Sequence, residues 1–440
     1  MIIEKQEDKF IKMSDGLSKK TAYLVSAYTD QKDLHVCQEH LEELDLLCET
    51  YGLEVLGKVP CYLRKYDAAT FVTKGKLEEL VEKAKSHGVD IVVFDDEISP
   101  AQQRNLEKAF GITVMDRAEI ILGVFAQRAQ TKEACLQIEL AQAKYQAPRL
   151  KKMWTHLSRQ AGTAGGGGAG AYLKGEGEKQ IEIDRRIIKR RITKLQKDLE
   201  EVRAHRKTQR GRRKKSEIPV FALIGYTNAG KSTLLNALTD AGVFVEDKLF
   251  ATLDTTTRKF TLENNQEILL IDTVGFIRKL PHLLVAAFKS TLEEALEADI
   301  LIHVVDIQHS MAIEQADTTF EVLKELGAEE KPVITVLNKI DLLEKTPEFS
   351  PVRLKYPKTI PISAKTREGF SVLQERMVEE IQKKRKLVEL KIPQSEYHLV
   401  SEVLRNGKII EQDYEENDVL LKVDIPGILA SKLEKYIIEM

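Results

Sequence analysis

Two apolar periodicities alternate over residues 22–130. Apolar runs at 23–27, 54–59, 90–94 and 112–115 are typical of buried strands, and apolar residues recur at helical spacing over 37–51, 76–87 and 101–110. Ser99 before Pro100 is a favourable helix start, because serine caps the first turn and proline is preorganised for it. Strands that alternate with such helices predict a small α/β domain on a parallel sheet.

Two heptad patterns follow. The first consists of Leu136, Leu140, Ala143, Ala147, Leu150, Trp154 and Leu157, and the second of Ile188, Ile192, Leu195, Leu199 and Val202. Both step by four and three residues, which predicts two helices folded back on each other as an antiparallel hairpin. Pro148 lies inside the first pattern and should kink or interrupt that helix.

The predicted tip of the hairpin is rich in glycine, over residues 162–170 and then 173–178. A flexible linker is the usual interpretation of such a segment, but glycine also lets a backbone approach a ligand closely. Residues 185–215 hold fifteen lysines and arginines against three acids. A solvated helix face is the usual interpretation of a charge run, yet this density favours a polyanionic partner.

A third apolar run, at residues 219–224, leads directly into a glycine-rich loop followed by helical spacing. The loop is Gly225, Tyr226, Thr227, Asn228, Ala229, Gly230, Lys231 and Ser232, with Thr233 next. Its amides can surround the α- and β-phosphates of a nucleotide at the start of a helix. Lys231 would reach the β and γ oxygens, and the Ser232 hydroxyl would coordinate Mg²⁺.

Three further motifs each follow an apolar strand. They are Asp272, Thr273, Val274 and Gly275; then Asn338, Lys339, Ile340 and Asp341; and last Ser363, Ala364 and Lys365. Asp272 can hold Mg²⁺ through water, and the Gly275 amide can bind the γ-phosphate. The Asp341 carboxylate can accept hydrogen bonds from N1–H and the 2-amino group of guanine, which adenine lacks. These ordered motifs predict binding of GTP and GDP.

A threonine-rich segment lies between the first two motifs: Phe250, Ala251, Thr252, Leu253 and Asp254, then Thr255, Thr256 and Thr257. A switch loop needs one threonine that binds Mg²⁺ and the γ-phosphate in the GTP state only. The residues alone leave four candidates. Similarity to the phenylalanine-x-threonine-leucine pattern of bacterial ribosome-assembly GTPases favours Thr252.

Four segments of the chain resemble the HflX family of translation GTPases: DDEISPAQQRNLE at 95–107, GEGEKQIEIDRR at 175–186, and residues 225–233 and 250–258. The resemblance covers roughly residues 20–385. It implies binding to the large ribosomal subunit, with the glycine loop reaching toward the peptidyl-transferase centre. It also implies GTP-dependent dissociation or rescue of stalled ribosomes under stress.

The expected contacts with ribosomal RNA are the glycines of the tip and the first arginines of the basic segment. They are Gly165, Gly166, Gly167, Gly168, Arg185, Arg186, Arg190 and Arg191. Relatives usually carry a shorter loop with an arginine, whereas residues 161–172 hold no charge. Entry into a cavity of RNA would then depend on backbone contacts and shape.

The candidate catalytic residues are Lys231, Thr252 and Gly275. Phe276 stands where many GTPases have a glutamine that positions the attacking water. We therefore predict slow intrinsic hydrolysis that a partner stimulates. Asn228 resembles the potassium-binding asparagine of some relatives, with a simple turn residue as the alternative, so K⁺ remains open as a cofactor beside Mg²⁺.

The predicted organisation is α/β overall, in five segments. They are a tail at 1–20, an N-terminal parallel-sheet domain at 21–130, a helical hairpin with a glycine-rich tip and basic linker at 131–215, a Ras-like P-loop GTPase domain at 216–385, and a small C-terminal α+β domain at 386–440. Within the last, residues 419–423 suggest a strand and 426–436 a helix. Residues 73–76 match no phosphate-loop spacing, so a capping turn is preferred to a second nucleotide site.

Composition limits where such a protein works. The first thirty residues lack a signal-peptide pattern, and no apolar run approaches the roughly 20 residues of a membrane span. Cys37, Cys48, Cys61 and Cys135 form no CxxC pair and are predicted to be buried thiols in a reducing compartment. We expect a cytoplasmic monomer, with at most weak peripheral membrane association.

The alternative function is a regulatory GTPase acting on protein or membrane-surface partners. A lipid-binding helix would show aromatic and leucine residues on its free face. The heptad patterns and the glycine tip favour the ribosome instead.

Overall fold

The computed structural model describes residues 20–149, 170–213, 218–239, 249–253, 255–280, 296–343, 351–356, 358–383, 385–415 and 417–438. Within these ranges the chain forms sheets of four, six and three strands. A pair of helices follows the first sheet and precedes the second in the chain order. The predicted α/β class, with a parallel N-terminal sheet, a P-loop GTPase fold and a small C-terminal unit, is confirmed.

The N-terminal sheet is parallel, in the order β2-β1-β3-β4. Its strands are β1 (Thr21–Tyr28), β2 (Glu54–Tyr62), β3 (Ile91–Phe94) and β4 (Thr113–Asp116), and its helices are α1 (Leu34–Tyr51), α2 (Lys74–His87), α3 (Pro100–Phe110) and α4 (Arg117–Arg128). Helix α3 begins at the predicted capping serine: Ser99 Oγ accepts from the Gln102 amide at 3.2 Å, and Gln102 Oε1 accepts from the Ser99 amide at 2.9 Å.

The helical pair consists of α5 (Lys132–Gln146) and α6 (Gly170–Arg213). Leu140 packs against Leu195 and Leu199, and Ala143 packs against Ile188. The heptad contacts predicted for these residues are therefore formed, whereas Leu150, Trp154 and Leu157 of the first pattern lie outside the described residues. Helix α5 ends before Pro148, which lies in a short 3₁₀ turn, because proline offers no amide hydrogen to continue the helix.

Helix α6 is longer than the sequence predicts. It includes residues 173–178, predicted as part of the tip, and continues to Arg213 through most of the predicted basic linker. Extending an existing helix gains one hydrogen bond per residue fixed, which offsets a glycine cost of about 1 kcal/mol. Residues 173–178 of the predicted tip are therefore helical, and Gly165 to Gly168 lie outside the described residues. Neither α6 nor any other described helix is apolar over the length that a bilayer span requires.

The second sheet has six strands in the order β10-β9-β8-β5-β7-β6, with only β6 antiparallel to its neighbour. The strands are β5 (Val220–Gly225), β6 (Thr256–Thr261), β7 (Glu267–Asp272), β8 (Ile300–Asp306), β9 (Val333–Asn338) and β10 (Thr359–Pro361), and the helices are α7 (Lys231–Thr239), α8 (Ala312–Glu325), α9 (Pro351–Lys355) and α10 (Phe370–Gln382). The carboxyl ends of parallel strands form one edge, where such sheets bind ligands.

The third sheet is antiparallel, in the order β11-β13-β12. It consists of β11 (Arg385–Pro393), β12 (Lys408–Glu415) and β13 (Asp418–Pro426), with helices α11 (Tyr397–Asn406) and α12 (Gly427–Lys432). The predicted strand at 419–423 is confirmed. The predicted helix at 426–436 is divided into α12 and a 3₁₀ turn, Glu434–Tyr436.

One apolar core joins the first two sheets. It contains Leu44 of α1 and Phe125 of α4 together with Ile224 of β5 and Phe250 of the threonine-rich segment. The rings of Phe125 and Phe250 meet edge to face, with centroids 4.4 Å apart. The threonine-rich segment therefore packs directly on helix α4 of the N-terminal unit.

The cysteines differ from the prediction at one position. Cys37, Cys48 and Cys61 are buried, whereas Cys135 is exposed on α5, and all four are free thiols. Cys135 lies off the heptad stripe by which α5 packs against α6, which is consistent with its exposure.

His303 is an unusual buried polar residue in the middle of β8. Its side chain is 1% exposed, and neither ring nitrogen has a hydrogen-bond partner among the described residues. Burial, with a smaller contribution from the Lys231 charge, lowers the pKa of His303 to about 3. The ring is therefore neutral in the folded protein and packs edge to face on Phe320, with centroids 4.9 Å apart.

We predict that His303 makes the fold acid-sensitive. Below the unfolded-state pKa of about 6.5 the unfolded chain binds a proton that the folded chain excludes, so stability falls as pH falls. The loss should reach about 2 kcal/mol near pH 5. A His303→Leu variant should lose this dependence and melt at a higher temperature, because no polar group is left buried without a partner. Melting temperature against pH measures both effects.

The exposed His398 provides the control. His398→Leu should leave the pH dependence of melting unchanged, because that ring is exposed on α11. A His303→Leu variant that melts with the parent's pH dependence would contradict the assignment.

Candidate nucleotide-binding site

The phosphate loop joins β5 to α7 and has the backbone that its glycines permit. Gly225 has φ +146° and Gly230 has φ +94°. A Cβ atom would come within 2.2 Å of the Val304 carbonyl oxygen at Gly225, and within 2.2 Å of Asn338 Nδ2 at Gly230. A side chain at Gly225 would therefore collide with the backbone of β8, and one at Gly230 would displace the Asn338 side chain.

Lys231 is folded into its own loop. Its ammonium donates to the Tyr226 carbonyl at 2.6 Å and to the Gly225 carbonyl at 3.1 Å. Burial lowers the pKa of Lys231 to about 8, although the Asp272 carboxylate opposes the shift. Phosphate oxygens beside this ammonium would favour its charged form, so we expect nucleotide binding to raise the pKa.

Three oxygens meet at the start of α7. Ser232 Oγ lies 2.7 Å from Thr252 Oγ1 and donates to Asp272 Oδ2 at 2.5 Å. Asp272 is buried, and its Oδ1 has no partner among the described residues. Burial raises the pKa of Asp272, while the Ser232 hydrogen bond and the Lys231 charge oppose the rise. Hard oxygen ligands around a buried carboxylate with a free oxygen fit Mg²⁺.

The four candidate switch threonines are separated by the structure. Thr252 lies against Ser232, whereas Thr256 and Thr257 belong to β6, and Thr255 precedes that strand. The geometry therefore favours Thr252 as the metal ligand. Asp254 lies outside the described residues.

Gly275 and Phe276 close the phosphate side of the cleft. A Cβ atom on Gly275 would come within 2.9 Å of Lys231 Nζ and 2.8 Å of Thr227 Cα. Phe276 is buried, and its backbone exchanges hydrogen bonds with the loop: its carbonyl accepts from the Thr227 amide at 2.8 Å, and its amide donates to Gly225 at 3.0 Å. Its side chain is a hydrocarbon ring, which offers no hydrogen bond to an attacking water.

The base-recognition motifs are linked by Asn338. Its Nδ2 donates to the Ala229 carbonyl at 2.9 Å, and its Oδ1 accepts from the Ala364 amide at 2.9 Å. Asp341 Oδ1 accepts from Ser363 Oγ at 2.6 Å. The Ala364 amide is thereby engaged by Asn338, which leaves the Lys365 amide as the better candidate to receive the guanine carbonyl.

Lys339 holds the loop between the base-binding residues. It has a left-handed backbone with φ +68°, and its ammonium pairs with Asp306 at 2.6 Å. The pair ties the end of β9 to the end of β8.

Most predicted phosphate-side residues line one open cleft of about 430 Å³. Its lining residues are Thr227, Asn228, Gly230, Lys231, Ser232, Thr233, Phe250, Ala251, Thr252, Thr273 and Gly275. Arg185, Arg186, Arg190 and Arg191 lie away from it, on α6. Arg191 pairs with Glu139 of α5 at 2.6 Å and Arg186 pairs with Glu182 at 2.7 Å. Arg191 therefore also holds the hairpin together.

The sequence did not reveal an ionic cluster beneath the phosphate loop. The cluster consists of Glu43, Asp95, Asp96, Arg117, Arg278 and Lys279. Asp95 Oδ1 accepts from Arg117 Nη1 at 3.0 Å and from Arg278 Nη2 at 2.8 Å. Arg117 also pairs with Glu43. The only sequence signal was the acidic run at residues 95–97.

Tyr226 connects this cluster to the loop. Its hydroxyl donates to Glu43 Oε2 at 2.5 Å and accepts from the Arg278 amide at 2.8 Å. The phosphate loop, the segment after Gly275 and the N-terminal helix α1 therefore share one hydrogen-bonded network.

Comparison with known proteins gives matches along most of the chain. The family described as GTP-binding GTPase N-terminal matches residues 38–126, the one described as GTP-binding GTPase Middle Region matches 128–213, and the one described as 50S ribosome-binding GTPase matches 220–339. Together these ranges include strands β2, β3 and β4 of the N-terminal sheet, the helical pair and the first two nucleotide motifs, and they end within the third motif at Lys339.

Three curated relatives carry the name GTPase HflX. The one from Chlamydia pneumoniae is 47% identical over 417 residues, covering 94% of this chain and 88% of its own length. The one from Caldanaerobacter subterraneus subsp. tengcongensis is 44% identical over 420 residues, with 96% and 94% covered. The one from Escherichia coli is 41% identical over 409 residues, with 92% and 93% covered. With these matches over nearly its whole length, and a cleft assembled from GTPase motifs, the chain belongs to the HflX family and is a GTP hydrolase.

Proposed function

We propose that this GTPase binds the large ribosomal subunit in its GTP state and dissociates or rescues stalled ribosomes. The observation that carries the proposal is the basic face of α6. Its 44 residues extend about 66 Å as a helix, and Arg185, Arg186 and Arg190 are exposed along it. Similarity of residues 220–339 to a family described as a 50S ribosome-binding GTPase supports the same target.

The proposed nucleotide chemistry follows from the cleft. Lys231 would leave the loop carbonyls for the β and γ oxygens of GTP, and the Gly275 amide would donate to the γ-phosphate. Ser232 and Thr252 would hold Mg²⁺ directly and Asp272 through water. An Mg²⁺ ion held by these residues would supply positive charge to the phosphates. With Phe276 in place of a hydrogen-bonding residue, the attacking water is poorly oriented, so intrinsic turnover is slow until a partner orders the switches.

Sedimentation with large ribosomal subunits and a non-hydrolysable GTP analogue tests the proposal. Affinity should fall with salt, with a log–log slope of roughly −0.7 to −0.9 for each phosphate contact. An Arg185→Gln/Arg190→Gln variant should bind less tightly and with a shallower slope. The matched control is Arg405→Gln/Lys435→Gln, which removes two exposed charges from the C-terminal unit.

Absence of co-sedimentation at modest salt would defeat the ribosome proposal. The dissociation step is measured separately, as loss of light scattering by intact ribosomes in GTP but not in GDP. Binding without loss of light scattering would show that the protein binds ribosomes but does not dissociate them.

The second candidate is a regulatory GTPase with protein or membrane-surface partners. One observation favours it: Ile183 and Ile187 are exposed one turn apart on α6. Two isoleucines among arginines give a much smaller apolar face than an interfacial helix uses. Co-sedimentation with anionic vesicles in place of ribosomal subunits would favour this candidate.

We further propose that Asn228 holds K⁺ beside the phosphates. Its backbone is left-handed, with φ +60°, and it lines the cleft. A monovalent cation there would supply positive charge to the transition state, so GTP turnover in KCl should exceed that in NaCl by roughly tenfold, a modest share of such stabilisation. Asn228→Ala should abolish the difference. Equal rates of GTP turnover by the parent protein in KCl and NaCl, at matched ionic strength, would show that Asn228 is only a turn residue.

A further inference from the structure

Strand β12 adds no side chain to the core of the C-terminal unit. That core is built from β11, β13, α11, α12 and Leu433. On β12 the apolar residues Ile409, Ile410 and Tyr414 are instead 37%, 51% and 58% exposed. Three exposed apolar side chains on one short strand are a common property of interaction surfaces.

The strand also lies at the edge of its sheet. The strand order places β13 on one side of β12, and no described strand pairs with the other side. The Tyr414 amide donates to the neighbouring Asp413 carboxylate at 2.8 Å. Because backbone groups alternate in direction along an antiparallel strand, Gln412 and Tyr414 point their amides and carbonyls outward. Such an edge can accept a further strand.

The charge along this edge selects the kind of partner. Residues 408–418 contain five acids and one lysine. Glu415 and Asp418 are paired with Lys391, whereas Glu411 and Asp413 are exposed to solvent. Like charges would oppose pairing with a second copy of this strand. They would equally repel a nucleic acid or an anionic lipid surface.

We propose that β12 is a docking edge for a basic, extended segment of a partner protein. The segment adds as a strand beside residues 411–415, its backbone pairs with Gln412 and Tyr414, and its cationic side chains face Glu411 and Asp413. The bulge between Ile409 and Glu411 ends the regular edge and sets the length of the paired segment. This docking is independent of nucleotide binding, because β12 contributes nothing to the cleft.

A labelled peptide of alternating lysine and valine tests the proposal with the full-length protein. Its glutamate–valine counterpart is the reference, and binding is followed by fluorescence anisotropy. The basic peptide should bind saturably, and hydrogen exchange should slow at the amides of 411–415 and not in β11. A Glu411→Lys/Asp413→Lys variant should bind the basic peptide at least about tenfold more weakly than the parent, because charge complementarity is lost.

Two further variants separate edge pairing from general charge attraction. Glu330→Lys/Glu434→Lys makes the same change in net charge at exposed positions elsewhere, and should bind as the parent does. Gln412→Pro keeps every acid but removes one outward amide, and should weaken binding if melting shows that the unit remains folded.

Other outcomes would overturn the proposal. These are equal binding of the acidic peptide, unchanged binding by Gln412→Pro, or no protection at 411–415. Concentration-dependent self-association lost in the Glu411→Lys/Asp413→Lys variant would assign the edge to a second copy. Protection by an RNA oligonucleotide would assign it to nucleic acid.

Discussion

An Asp341→Asn variant is expected to bind GTP about a thousandfold more weakly than the parent, roughly 4 kcal/mol. The Asp341 carboxylate would accept two hydrogen bonds from the guanine edge. Asparagine of the same size presents an amide donor to a guanine donor, so one bond becomes a repulsive contact. Titration of a fluorescent GDP or GTP derivative measures the loss directly.

Xanthosine triphosphate provides the control within the same experiment. Xanthine has a carbonyl where guanine has the 2-amino group, so it can accept from the asparagine amide. The variant should therefore bind xanthosine triphosphate better than the parent does, which shows that the phosphate cleft remains intact. The Asp341 contact with Ser363 can persist through the remaining oxygen. A variant that binds GTP within about threefold of the parent would remove Asp341 from base recognition.

The position of the candidate site at one edge of the sheet could be predicted because its determinants are local. Each motif follows an apolar strand, and parallel strands bring their carboxyl ends to one edge whatever the remaining packing is. The close approaches at Gly225 and Gly230 explain why glycine stands at those positions. Even the choice of Thr252 agrees with its contact to Ser232.

The connection between the two sheets could not be predicted in the same way. Asp95 and Arg278 are far apart in sequence, and their contact depends on how two separate sheets pack. Tyr226 is an example, because its position in the sequence predicted only that it belongs to the phosphate loop. The structure shows its hydroxyl bonded to Glu43 of the other unit. A single sequence holds no signal for such a pair.

The hairpin shows how local preference can mislead. Glycine at residues 175 and 177 favours a loop when taken alone, but both lie within the long helix α6. From the sequence, Arg191 was similarly expected to contact RNA. In the structure it forms an ion pair with Glu139 on the facing helix. Tertiary context decided both cases.

The second large effect is expected from Asp95, the fully buried acid of the ionic cluster. Burial raises the pKa of Asp95, but the charges of Arg117, Arg278 and Lys279 outweigh this effect and lower the pKa to about 2. An Asp95→Asn variant leaves two buried guanidinium groups without this partner. We expect the free energy of unfolding to fall by about 3–5 kcal/mol, the cost of breaking a buried ion pair from one side. Chemical denaturation followed by circular dichroism measures it.

Asp96→Asn is the matched control, because it makes the same change one residue away. Asp96 pairs with Lys279 at 2.5 Å but is partly exposed, so its loss should cost no more than about 1 kcal/mol. The parent's contribution from Asp95 should also disappear as pH falls. Its folded pKa lies below the unfolded value of about 3.9, so the stabilisation is complete above that value and lost as pH approaches 2. Similar losses for Asp95→Asn and Asp96→Asn would contradict a central role for Asp95, because Asp95 is buried and pairs with two arginines that Asp96 does not contact.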